Sequence, residues 1–188
     1  LGGNILGALL DQANIMRSEK IGLKHNLYFN AGAMLIDVKR WKKEKISYQV
    51  LNCYIDNLQR FLMLEQDALN YFLNGDFAQF PVNSINNMDA FNHLCIKTNS
   101  ENIIWHFVND GKPWIKYCDP EIEKIYWNYV KRSLWFEMEA LEPKDVKTAF
   151  LAGKNAEKKG DYKEAAYYLG LTAGRLMDYY LQQINEKY

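Results

Sequence analysis

The sequence predicts an α/β fold followed by an α-helical extension, on three observations. The stretch YFNAGAMLIDVKRW at residues 28–41 passes from an apolar, β-leaning run into charged residues at helical spacing. NIIWHFVNDG at 102–111 is a short β-branched and aromatic run that ends in a turn cluster. From residue 119 onward, apolar residues recur at helical intervals.

Taken in order, the first residues, LGGNILGALLDQANIM, hold a short apolar run with no basic leader and no cleavage site. A strand is expected from Tyr28 to Val38. A helix then runs from Lys39 toward Leu58, with Trp41, Ile46, Val50, Leu51 and Tyr54 as its apolar stripe. A second helix at Gln66–Leu73 is ended by Asn74-Gly75, and a short strand, Phe77–Phe80, follows. Residues 82–101 are rich in Asn and Ser with weak periodicity and read as a long loop. Ile103, Ile104 and Trp105 form the next strand, which puts His106 near its C-terminal end, where ligands bind in open α/β sheets. Lys112 follows on a turn whose Gly111 lets the backbone approach a ligand, and Pro113 fixes the chain leaving it. Histidine ligates metals and lysine holds phosphate as a point charge, so a metal-bound phosphate suits the pair. The alternative for His106 is a packed, hydrogen-bonded core residue.

The helical part opens with an Asp-Pro signal and a helix over 119–137, with Ile122, Ile125, Tyr126, Tyr129 and Val130 at helical spacing. Core packing is expected of its aromatic-basic face. Peripheral contact with a membrane surface is the alternative, which its acidic residues disfavour. Two more helices are broken at KKGDY. Gly160-Asp161-Tyr162 followed by Ala165 and Ala166 resembles one tetratricopeptide-type hairpin, and a single such unit cannot bury its own face. It is expected to pack on the domain, with partner binding as the alternative.

Composition narrows the function. Its 188 residues are 48% hydrophobic and 24% charged, which suits one domain with an appendage. A formal net charge of zero gives no electrostatic signature of nucleic-acid binding. Thirteen Tyr, nine Phe and five Trp fit either an aromatic core or sugar stacking. Cys53, Cys95 and Cys118 are odd in number and lack CxxC spacing, so a disulfide framework and a zinc knuckle are not expected and a reducing cytoplasm is. No segment approaches the roughly 20 apolar residues of a membrane span. Residue 1 is not methionine, so the chain is expected to begin inside a longer protein.

YFNAGAMLIDVKRW, LEQDALNYFLNG and HFVNDGKPW, in that order, resemble the C-terminal two-thirds of the catalytic domain of glycosyltransferase family 8. These are retaining enzymes of the GT-A fold that use a nucleotide-sugar donor and manganese. The resemblance covers residues 1–117, leaving 118–188 as the helical extension. It implies a hexosyltransferase that moves glucose or galactose from a UDP-sugar to a saccharide or lipid-linked acceptor in cell-surface glycan synthesis, lipopolysaccharide included. The alternative is a non-catalytic remnant of the fold acting as a binding or scaffold module.

The resemblance also implies roles. His106 would be the manganese ligand, and Lys112, with Gly111, would hold the diphosphate as it leaves. Asn30, Ala31 and Gly32 would face the sugar, with a turn amide bonding its own backbone as the alternative for Asn30. Glu65 and Gln66 would face the reacting carbon. Glutamine is a poor nucleophile, so Gln66 is assigned to positioning and to stabilising positive charge through its carbonyl oxygen. Glu65 would hold a sugar hydroxyl, as would Asp67, for which a helix cap is the alternative. Asn109 stands where the family commonly has a glycine, which weakens one backbone contact to phosphate. No DxD, the family's pair of metal carboxylates, occurs in the sequence. The chain is therefore expected to start after it and to lack the first strands of the nucleotide-binding sheet.

Overall fold

The computed structural model describes residues 1–88, 104–109 and 111–185. Ile103, Asp110, Cys95 and the expected loop beyond residue 88 lie outside the described residues. Contacts divide the chain into two units: residues 1–86 with 104–106, and residues 87–88 with 107–185.

The first unit is built on a sheet of three strands in the order β2-β1-β3. The central strand, β1 (Leu6–Leu10), was not expected. Its run of small and apolar residues lacks β-branched side chains, and burial on both sides, not propensity, makes it a strand. A short helix, α1 (Ile15–Ile21), also unexpected, ends at Gly22 in the left-handed conformation. Strand β2 (Phe29–Ile36) runs antiparallel to β1, pairing Leu6 with Ile36 and Ala8 with Met34. Asp37 then caps α2 (Val38–Lys43) by accepting from the Arg40 N–H at 3.0 Å.

The single helix expected over 39–58 is two. Helix α2 stops at Glu44, Lys45 takes a left-handed φ of 52°, and α3 (Ile46–Asp56) begins. Trp41 and Ile46 are five residues apart, off phase for one helix, and the break lets both reach the core. No Gly or Pro marks it. Helix α4 (Leu64–Leu73) ends at Asn74 and Gly75, both left-handed, as the Asn-Gly pair predicts. Strand β3 (Ala78–Gln79) then pairs parallel with β1. Tyr28 and Phe29 point into different clusters. Phe29 packs with Leu6, Ala8, Leu69 and Phe77, and Tyr28 packs with Ile21, Phe61 and Ala68.

The loop expected over 82–101 is corrected at its start, because Ile85–Met88 is strand β4, which pairs with β5 (Ile104–Phe107). Its sequence, INNM, carries too few β formers to be recognised alone.

In the second unit, α5 (Pro120–Val130) starts at Asp119, whose carboxylate accepts from the Glu121 N–H at 2.9 Å. The helix expected to reach residue 137 ends at Val130. Ser133 Oγ donates to the Val130 carbonyl and accepts from the Trp135 N–H, which turns the chain away. Helices α6 (Val146–Lys158) and α7 (Tyr162–Asn185) form the expected hairpin, broken at Gly160. Ala149, Ala152 and Ala156 are buried, and a Cβ on Gly153 would stand 2.8 Å from Leu169 Cγ, so the helices touch through small residues. The hairpin is tied to the segment after β5. Tyr117 Oη donates to Asp161, and Asn155 donates to the Tyr117 carbonyl.

Candidate active site

The site in the first unit is made where one polar face of α4 lies along the start of β2. Asn70 does the work of a neighbouring strand: Oδ1 accepts from the Phe29 N–H at 2.8 Å, and Nδ2 donates to the Phe29 carbonyl at 2.9 Å. Two residues further along β2, the Ala31 N–H donates to Gln66 Oε1 at 2.9 Å. Helix and strand are thus joined by amide groups buried from water, where each satisfied bond counts and each lost one is costly.

Behind Gln66 lies a chain of fixed direction. The Asp67 carboxylate only accepts, so the Tyr28 hydroxyl at 2.7 Å must donate to it. That leaves the Tyr28 oxygen to accept from Gln66 Nε2 at 3.2 Å, and Oε1 is turned toward β2. Asp67 is fully buried and also takes Arg17, through an ion pair and two Nε contacts at 3.1 Å, and the Met63 N–H at 2.8 Å. The Met63 bond resembles the return half of a capping box. Burial alone would raise the Asp67 carboxyl, but Arg17, Met63 and Tyr28 together hold it below the usual carboxylate range. Tyr28 is held far above the ordinary phenol value, first by burial and then by its bond to Asp67.

Across the strand, Asn30 Oδ1 accepts from the Gly32 N–H at 2.8 Å, the local amide turn weighed for it, and its Nδ2 lies 3.4 Å from Asp11 Oδ2. Asp11 is buried just past the end of β1 and also accepts from Asn14 at 2.9 Å. His106 brings its ring edge against Gly32. A Cβ there would lie 2.0 Å from Nε2, so the glycine makes room for an imidazole. Glu65 is exposed and lines a cavity of about 410 Å³ with Trp41, Tyr54 and Leu64.

The structure therefore brings Asn30, Ala31, Gly32, Gln66, Asp67 and His106 into one unit with Asp11. Lys112 and Gly111 belong to the second unit, where Lys112 Nζ donates to the Phe107 carbonyl at 2.7 Å and Gly111 is buried. Sequence reasoning missed Asp11, whose signal is an aspartate closing the apolar run GALL. It also gave no role to Arg17, Tyr28 or Asn70, which become partners only through the fold. Among the described residues no group of three His, Cys, Asp or Glu side chains is gathered tightly enough to hold a metal ion.

The amides of Asn30, Gln66 and Asn70, the Asp11 carboxylate and the His106 imidazole thus gather around β2. The α/β architecture is of the GT-A type, and the chain belongs to glycosyl transferase family 8, whose sequence model matches residues 1–118. Among its relatives is the lipopolysaccharide 1,3-galactosyltransferase of Salmonella typhimurium, 25% identical over 159 residues, which are 80% of this chain and 47% of that protein. The lipopolysaccharide 1,2-glucosyltransferase of Escherichia coli is 26% identical over 160 residues, 78% of this chain and 44% of that one. The chain thus spans about half the length of these curated relatives. Among solved structures, the galactosyltransferase LgtC in complex with donor and acceptor sugar analogs superposes with a TM-score of 0.54 at 22% identity. The match covers 65% of this chain and 50% of LgtC. An active-site mutant of LgtC gives a TM-score of 0.57 at 21% identity, over 70% of this chain and 53% of the mutant.

Proposed function

We propose that the chain is part of a retaining hexosyltransferase that takes glucose or galactose from a UDP-sugar to a saccharide or lipid-linked acceptor for cell-surface glycans. In this reading residues 1–117 carry the transferase chemistry and 118–188 are the helical extension. The observation that carries it is the arrangement around β2: Asn30 beside Asp11, the His106 ring against Gly32, and Gln66 held by Ala31 and Tyr28. Family membership supplies the reaction class.

The Asn30 amide would hold donor hydroxyls, and Glu65, on the cavity with Trp41 and Tyr54, would hold a sugar hydroxyl. Gln66 Oε1 has a second lone pair beside the one used by Ala31, and that pair would face positive charge building on the sugar. Asp67 takes no substrate in this reading. Both its oxygens are engaged, and it positions Gln66 through Tyr28. Lys112, in the second unit, would steady a departing diphosphate as a point charge. The manganese that the resemblance implies finds one candidate ligand here, His106. The described residues do not complete a shell, so no step is routed through the metal. The free thiols Cys53 and Cys118 fit a cytoplasmic setting.

A second reading is a non-catalytic binding or scaffold module of the same fold. UDP titrated into the chain with manganese and again with EDTA, followed by tryptophan fluorescence, tests the nucleotide site. Metal-dependent binding lost in His106→Ala supports the transferase. Hexose transfer by the full-length protein, abolished by Gln66→Ala with the fold kept, would exclude the module, and absence of transfer would favour it.

A further inference from the structure

Helix α7 carries a second apolar face that its pairing with α6 does not use. Its 24 residues outrun the 13 of α6, and its buried residues, Ala165, Tyr168 and Thr172, all lie in its first half. Arg175 donates to the Pro143 and Asp145 carbonyls, and every residue from Leu176 to Asn185 is exposed. Most helical stability in proteins comes from packing an amphipathic face, and no side chain in this half of α7 is buried. On the side opposite Ala165, Tyr168 and Thr172 stand Tyr167, Gly170, Gly174, Met177, Leu181 and Ile184. They follow one another at steps of three, four, three, four and three residues, the spacing of a coiled-coil seam. A solvated helix face is rich in charge. Between Tyr167 and Ile184 the only charged residues are Arg175, engaged by the two carbonyls, and Asp178.

We propose that this seam pairs with the same seam of a second copy of the chain, the two α7 helices running antiparallel about a two-fold axis. In such a pair each contact between two positions is made twice, so a seam must complement itself. Centring the axis between Arg175 and Leu176 sets Tyr167 against Ile184, Gly170 against Leu181 and Gly174 against Met177. Each glycine then receives a large side chain. In the single chain a Cβ on Gly170 or Gly174 would meet nothing within 4 Å, and glycine weakens a helix relative to alanine. The pairing gives both glycines a packing reason. Tyr167, Met177, Tyr180, Leu181 and Ile184 are between 50% and 62% exposed. At roughly 100 Å² each, with the glycines between them, they reach about the 600 Å² per partner at the low end of stable interfaces. Asp178 falls across from Ala173, so like charges do not meet. A bilayer suits this face less, because a helix lying on one carries Lys and Arg along its polar side. The surface is independent of the transferase reading and is tested without catalysis.

The test is sedimentation equilibrium of the full chain over a range of concentrations. The expected result is a monomer–dimer equilibrium in the micromolar range, as suits an interface of modest size. Met177→Gln with Leu181→Gln, both at exposed positions, should weaken the dimer at least about tenfold with an unchanged circular dichroism spectrum. Gly170→Gln with Gly174→Gln blocks the receiving positions while adding better helix formers, so the dimer should weaken as much while helix content is kept or raised. Tyr167→Cys combined with Ile184→Cys should cross-link two copies on oxidation, and Tyr167→Cys alone, which only a parallel pair would join, should not. A chain that stays monomeric, or a dimer that either glutamine pair leaves at full strength, overturns the proposal. Cross-linking by Tyr167→Cys alone overturns the antiparallel pairing and with it the role of the glycines.

Discussion

Asp67 is the residue on which the site's geometry turns, because an acceptor-only group at one end of a chain fixes every donor after it. The sign of its pH effect follows from its depressed folded-state value. The stabilisation is fully present above the unfolded carboxyl value of about 4 and is lost as pH falls through the lower folded value. Thermal unfolding midpoints should therefore be level from pH 8 to about 5 and drop below about 4, with a shallower drop in Asp67→Asn. Asp67→Ala leaves the partly buried Arg17 with only the Arg60 carbonyl and removes the acceptor of Tyr28, and should cost about 3 kcal/mol in urea unfolding. Gly32→Ala is a different kind of lesion. The obstructing atoms are the far edge of the His106 ring, which can swing away, so stability should fall by only about 1 kcal/mol. The His106 ring resonances should shift, and metal-dependent UDP binding should be lost.

At the level of elements, the joint between α4 and β2 and the start of α6 are the most clearly determined. Asp145 Oδ1 accepts from the Thr148 N–H at 2.8 Å, and the Thr148 hydroxyl answers to the Asp145 N–H, a complete capping box. Asp145→Ala should lower stability by about 1 kcal/mol, read as a lower urea midpoint at unchanged slope. The hairpin behind it was visible from Gly160 and the alanine spacing. The end of α5 was not, since a serine hydroxyl, without glycine or proline, stops that helix. The break between α2 and α3 was hidden for the same reason, a lysine taking the left-handed conformation.

At the scale of the whole molecule, a formal net charge of zero and a sequence pI near 7.0 leave little repulsion between copies, while Leu134, Trp135 and other large apolar side chains are exposed. Solubility should be lowest near pH 7 and rise by pH 9, measured as light scattering at fixed concentration. The family was legible because its three motifs are local, each a strand end or helix start with its own turn chemistry. Asn30, Gln66 and His106 were legible with them, because they lie inside those motifs.

By itself, then, the sequence determined the α/β class, the helical extension, the family and the segments that hold the candidate site, all of which rest on short-range periodicity and turn residues. Only the tertiary structure decided who partners whom: that Asp67 answers to Arg17 fifty positions away, that Gln66 is turned by Tyr28, that Gly32 yields space to His106, and that Leu134–Phe136 stands in water. The reason is physical. Propensity and patterning act within a few residues, whereas buried hydrogen bonds, ion pairs and exposure are set by groups that the fold alone brings together.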